Sequence, residues 1–244
     1  SGFFKTRWPS AHVHSEFGID SRLNRKLRVK AEVAEGLRFW AATDHDIFED
    51  YAPIVKELGL EGIITPSVGI EVSPIGRHFN GLGCKPLPTQ FLRYFVIPWA
   101  KVLANGEVSG ARLEPDIWKT MKEDFSCRMV QVNHPRDGQG YFDLVEYDPA
   151  VGPSSAKAGR FDLTFDSMEI WNSSDDWNHL EKKTLPDWYS FLNRGRRIIA
   201  VGNPDTHALS QWAGQPHNLV AENGEITEDS LYDSLLAGRS QVTA

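Results

Sequence analysis

Histidines and carboxylates recur in this chain in short clusters: His12-Val-His14, Thr43-Asp44-His45, Ile70-Glu71 followed by His78, Asn133-His134-Pro135 and Asp205-Thr206-His207. Almost every cluster closes a short apolar run, while His179 and His217 fall outside the pattern. Imidazole and carboxylate together form the donor set of divalent cations from hard to borderline. A site with more than one metal is the economical chemistry for so many of them at strand ends.

The spacings refine this. On a strand, His12 and His14 point to the same face, and Asp205 and His207 repeat that separation after Gly202-Asn203-Pro204, a sequence that suggests a sharp turn. Of Asp44 and His45, one can bind metal while the other orients a neighbour. An unpartnered Glu71 at the end of an apolar strand would be costly to bury. A carboxylate there can bridge two cations and offset their repulsion; the plain alternative is a salt-bridged or exposed strand-end glutamate. For His134 the alternative is a satisfied core histidine. Ser15 follows His14 directly, but metals that generate hydroxide need no serine nucleophile, so a local hydrogen-bonding role is expected.

Around these clusters, Arg77 and Arg136 are candidates to meet an anionic group in bidentate fashion, with solvated surface arginines as the alternative. Asn172 could orient substrate or water, and Trp171 could form an apolar wall. With Trp177 and Trp212 an aromatic group could be held, unless these tryptophans are core.

The elements that must position these groups alternate along the chain. Strand-like runs cover Ala11–His14, Phe39–Thr43, Ile63–Val72, Phe79–Gly83, Met129–Asn133, Ser167–Trp171 and Ile198–Gly202. Amphipathic helical stretches lie near Arg25–Gly36, Tyr51–Leu58, Pro115–Asp124, Leu180–Arg194 and Glu228–Ala237, the last stopped by Gly238. This alternation predicts a mainly parallel, barrel-like α/β fold with its chemistry at the C-terminal ends of the strands. Asp137–Asp162 carries glycines, prolines and little periodicity, and reads as a surface loop or a pocket lid.

A chain of 244 residues fits one large α/β domain, and its net charge of −7 argues against a broad basic surface for duplex nucleic acid. No run approaches the roughly 20 apolar residues of a membrane span. Two cysteines, Cys84 and Cys127, are too few for a disulfide framework and are expected as small buried hydrophobes. The Ser-Gly start suggests a trimmed or engineered N-terminus, and the compartment stays open.

The ordered set HxH, TDH, GxE, H, NHP and DxH resembles the polymerase-and-histidinol-phosphatase (PHP) superfamily of metallohydrolases from His12 to His207. Ala34-Glu35-Gly36, Ala42-Thr43-Asp44-His45, Asp50-Tyr51-Ala52-Pro53, Val68-Gly69-Ile70-Glu71-Val72 and His78-Phe79-Asn80 look most like its carbaryl-hydrolase-like branch. The resemblance implies a distorted seven-stranded (β/α)7 barrel holding two or three divalent ions, Zn, Mn or Fe. By motif matching, His12, His14, Glu71 and Asp205 would hold one ion. Glu71 would bridge to a second ion, held by His78 and His134; Asp20, His45 and His207 would hold a third. Asp20 stands where many members have histidine, and this harder ligand implies either a weaker third ion or a preference for Mn²⁺ or Fe²⁺ over Zn²⁺. Asn203-Pro204 also departs from the commoner Gly-Ser before the aspartate.

The expected activity is hydrolysis of a small-molecule phosphate mono- or diester by metal-activated hydroxide, with Asp44 supporting the ligands. The alternatives are a carboxylic or carbamate ester hydrolase using the same metals, and a metal-bearing binding module without turnover. The resembling branch further suggests that residues 1–244 are a fragment of a longer protein, because a β-like run is beginning at Ala237–Ala244.

Overall fold

The structure is a computed structural model that describes residues 5–7, 9–157, 159–173, 175–222 and 227–243. Seven strands, β1 (Pro9–Ser10), β2 (Phe39–Ala42), β3 (Thr65–Val72), β4 (Phe79–Leu82), β5 (Met129–Val132), β6 (Ser167–Asn172) and β7 (Ile199–Asn203), lie side by side in chain order. The sheet curls until its two edges meet. Val13 bridges Thr206, His14 N donates to Thr206 O at 3.0 Å, and Asp205 N donates to His12 O at 3.0 Å. The result is a distorted, nearly closed seven-stranded barrel.

Every neighbouring pair is parallel except those of β4, which runs antiparallel to both β3 and β5. Only residues 73–78 join β3 to β4. A parallel crossover needs a dozen or more residues, so the chain must turn straight back. The reversal matters for the site: His78 precedes its strand, yet lies at the rim where the parallel strands end.

Helices α1 (Arg25–Ala34), α2 (Ala52–Glu57), α3 (Glu114–Glu123), α4 (Tyr141–Leu144), α5 (Leu185–Asn193) and α6 (Glu228–Leu236) lie between or after the strands. Asn24 caps α1 by accepting from Lys26 N, and Pro115 occupies the first turn of α3, where its missing N–H costs nothing. The expected helix over Leu180–Arg194 is in two parts, because Leu180–Thr184 forms a π-helical turn ahead of α5.

Some expectations are corrected. The Asp137–Asp162 stretch is not a plain surface loop: Tyr141, Phe142, Val145 and Tyr147 are buried and pack with Phe79, Trp118, Phe165 and Phe191 in the main core. Cys84 and Cys127 are buried but also joined in a disulfide. They meet because antiparallel pairing brings the end of β4 to the start of β5. A three-stranded sheet of Lys5–Arg7, His217–Glu222 and Ser240–Thr243, and a hairpin of Ala100–Val102 with Val108–Ala111, lie outside the strands read from sequence. Among the described residues, no helix is long and apolar enough to cross a membrane.

Candidate metal centre

The rim of the barrel gathers the side chains. The segment after β1 brings His12 and His14, the end of β2 brings His45, and β3 brings Glu71. His78 enters β4, His134 follows β5, and Asp205 and His207 follow β7. Asp20 reaches the rim from the loop before α1. These nine residues form four overlapping sets whose ligand atoms lie within 4.8 Å of one another. The sets are His14, Asp20, His45 and His207; His12, His14 and Glu71; His12, His134 and Asp205; and His45, Glu71 and His78. The membership differs in detail from the motif-based partition, since His12, His14 and His45, like Glu71, each belong to two sets.

Glu71 is fully buried at the middle. Its Oε1 lies 3.0 Å from His12 Nε2, 3.2 Å from His78 Nδ1 and 3.7 Å from His134 Nε2. Its Oε2 lies 2.9 Å from His45 Nδ1 and 3.4 Å from His14 Nε2. Asn133 donates to Oε1 at 2.7 Å and fixes the carboxylate plane. On the outer side, His45 Nε2 and His207 Nε2 each approach Asp20 Oδ2 at 3.0 Å.

The donor set fits divalent cations. His12 Nδ1 lies 2.8 Å from Glu169 Oε1, and a carboxylate has no proton to give, so Nδ1 carries the ring hydrogen. Nε2 then presents a lone pair to Glu71 Oε1 at 3.0 Å and Asp205 Oδ1 at 3.2 Å. Those groups repel unless a cation or a proton stands between them. His12 Nε2 and Glu71 Oε2 are buried with no hydrogen-bond partner among the described residues.

The electrostatics say the same. Burial works against charging His12, yet the carboxylates of Asp205, Glu71 and Glu169 hold its pKa well above the ordinary value. Burial likewise opposes charge on His45 and His134, but Glu71 and Asp20 push the first up to about 10, and Asp137 and Glu71 push the second up to about 10. Burial also works against ionising Asp205, yet His12 and His14 hold its carboxyl well below the usual range. At His14 burial wins instead, and its pKa is lowered in spite of Asp205 and Glu71.

The other candidates are placed as follows. Asn172 lines the cleft, whose volume is about 310 Å³, and donates to Glu169 Oε2 at 2.8 Å and Asp205 Oδ2 at 3.2 Å. Trp171 turns outward into an apolar groove with Trp177, Leu180 and Trp188, its indole bonded to Asp175 O. Asp44 accepts from Ser15 N at 2.5 Å and Ser15 Oγ at 2.7 Å, so it ties the loop after His14 to the end of β2. Neither arginine lines the cleft. Arg77 is buried against Glu114, and Arg136 is gripped by Asp187 at 2.7 Å through both Nε and Nη2. The sequence places Arg136 close to His134 but does not say which way its side chain leaves the turn.

Sequence reasoning missed Glu169, Asp137, Asp175 and His179. Asp137 Oδ2 lies 3.2 Å from His134 Nδ1, and His179 stands in the cleft 3.8 Å from Asp175. Only Glu169 had a signal, an acid in the middle of an apolar strand.

No family model matches the sequence, and no curated protein is similar to it in sequence. Several solved structures share its fold, two of them as follows. A candidate metal-dependent phosphoesterase from Bifidobacterium adolescentis is 13% identical with a TM-score of 0.51, covering 97% of this chain and 98% of that one. An amidohydrolase from Chromobacterium violaceum, solved with bound sulfate and no metal, is 14% identical with a TM-score of 0.56, covering 96% and 97%. At such identities the likeness is one of fold.

Proposed function

We propose that this protein is a metal-dependent hydrolase of small-molecule phosphate mono- or diesters, with two or three divalent ions held by the nine rim residues. The observation that carries this reading is their convergence around one buried carboxylate, Glu71. That the two fold relatives are named as a phosphoesterase and an amidohydrolase agrees with hydrolysis. Bound there, the ions would activate water and polarise the phosphoryl oxygens of the group that water attacks.

The chain's own residues have separate tasks. Glu71, held by Asn133, sits between the sets and offsets repulsion between neighbouring cations. Asn172 presents its amide at the floor of the cleft. His179 is a cleft histidine outside the four sets, so its imidazole is available to give a proton to the leaving oxygen. Among the described residues no lysine or arginine lines the cleft, so positive charge for a phosphate must come from the ions.

The test is a hydrolysis screen of aryl phosphates, aryl diesters and aryl carboxylates after loading with Mn²⁺, Zn²⁺ or Fe²⁺. Metal-dependent phosphoester turnover is expected. Carboxylester turnover without phosphoesterase activity under any metal would assign a neutral ester instead.

A further inference from the structure

Glu169 lies on β6 beneath the rim, 1% exposed, with no lysine or arginine in ion-pair contact among the described residues. Five donors surround it. Oε1 accepts from His12 Nδ1 at 2.8 Å, Asn203 Nδ2 at 3.0 Å and Gln131 Nε2 at 3.2 Å. Oε2 accepts from the backbone N of His134 and from Asn172 Nδ2, both at 2.8 Å. Asn172 Nδ2 also reaches Asp205 Oδ2 at 3.2 Å. Glu169 therefore touches His12 and His134 directly and Asp205 through one amide. Those three residues are one of the four ligand sets.

Each contact fixes something that set needs. The bond to His12 Nδ1 leaves Nε2 as the bare donor facing Glu71 and Asp205. His134 has φ of 24°, in the positive range that is uncommon for a residue other than glycine and costs backbone strain. The bond from its N–H to Glu169 helps hold it there. Nothing comparable ties Glu169 to Asp20, His45 or His207.

We infer that Glu169 is a positioning residue that assembles the His12–His134–Asp205 set selectively, leaving the set around Asp20 independent. This rests on the metal-centre reading above and adds to it a division of labour between a supported inner set and an outer set. Glutamine is the informative substitution. It offers one carbonyl and one amide group, so either His12 Nδ1–H or His134 N–H must face another donor.

The experiment is titration of the metal-free protein with Mn²⁺, followed by calorimetry and elemental analysis, alongside circular dichroism of each variant. Wild type should take up two or three ions. Glu169→Gln should weaken uptake at the His12–His134–Asp205 set about 10- to 100-fold, the range found when groups that orient metal ligands are removed, with any second loss confined to the set that shares His12, and leave the set around Asp20 unchanged. Glu169→Asp should recover part of the loss. Asp20→Asn should weaken a different ion, so the double variant Glu169→Gln with Asp20→Asn should lose both additively. Should Glu169→Gln not fold, Asn172→Ala carries the test, because it removes only the link to Asp205 and should weaken the same ion.

A wild type that binds no Mn²⁺, Zn²⁺ or Fe²⁺ would overturn the metal reading and this inference with it. Normal loading of wild type with unchanged affinities in folded Glu169→Gln, or in its substitutes, would overturn the inference alone. Non-additive loss with Asp20→Asn would overturn the selectivity.

Discussion

Arg28 grips Thr206 twice: Nη1 donates to the threonine hydroxyl at 2.8 Å and Nη2 to its carbonyl at 2.8 Å. Its Nε donates to His14 O at 2.9 Å. One buried guanidinium on α1 thus fastens the segment after β1 to the segment after β7, at the seam that, among the described residues, a single β-bridge, Val13 with Thr206, closes. The same seam carries His14, Asp205 and His207, so the arginine that closes the barrel also sets the spacing of three candidate ligands.

Arg28→Lys should therefore destabilise the protein although charge is kept, because an ammonium cannot reproduce a planar fork. Hydrogen bonds to charged groups are worth about 1.5–3 kcal/mol each, and loss of one or two sets the expected scale. Urea unfolding measures it. Metal uptake at the set of His14, Asp20, His45 and His207 should weaken in the same variant, whereas a stability loss with unchanged uptake would show that the seam and the site are independent.

Glu32, one turn from Arg28, gives a pH signature. Burial raises its pKa to about 8, against the attraction of Arg28. A carboxyl raised on folding contributes stability that is complete below its unfolded pKa, near 4.5, and is lost as pH rises through about 8. Glu32→Gln stays neutral throughout. The two proteins should differ least in acid, with the variant gaining relative stability as pH rises toward 8; chemical denaturation across that window checks it. Parallel stability curves would remove Glu32 as the source.

Most strands and the His and carboxylate clusters were legible because short apolar runs and strand-end placement are local, but the first strand is Pro9–Ser10 and not Ala11–His14, which follows it as the segment that crosses the seam. Antiparallel β4 was hidden in the length of one loop, residues 73–78, and with it the pairing of Cys84 with Cys127. Tyr141 and Phe142 went unread as core because an irregular segment has no period to betray which side chains turn inward. Asp20 lies on no strand and came only from the family resemblance. Arg136 shows the limit of proximity in sequence, since its partners Asp143 and Asp187 lie on other elements.

That environment makes Arg136 a test of fold. Asp187 is fully buried, and burial pushes its pKa up to about 6 even with Arg136 beside it. Arg136→Ala would leave that carboxyl buried and unpaired, a change that costs about 3–5 kcal/mol when one partner of a buried pair is removed. Adding Asp187→Asn should recover much of the loss in thermal unfolding. A stable Arg136→Ala protein with a selective defect on phosphoesters would return the arginine to the substrate side.

The sharpest prediction concerns Glu71. Each of its oxygens faces a different group of imidazoles, Oε1 toward His12, His78 and His134, and Oε2 toward His14 and His45. Replacing one oxygen with an amide removes the charge between neighbouring cations and turns a donor group toward rings that should offer lone pairs. Glu71→Gln should thus keep its fold, since the two side chains are alike in size and the core packing is untouched. Metal affinity should fall by at least about 10- to 100-fold at more than one ion, a larger and less selective loss than at Glu169. Elemental analysis after dialysis, with circular dichroism on the same sample, reads both quantities. A folded Glu71→Gln protein that retains every ion would take this glutamate out of the metal centre and leave its burial among five histidines without an explanation.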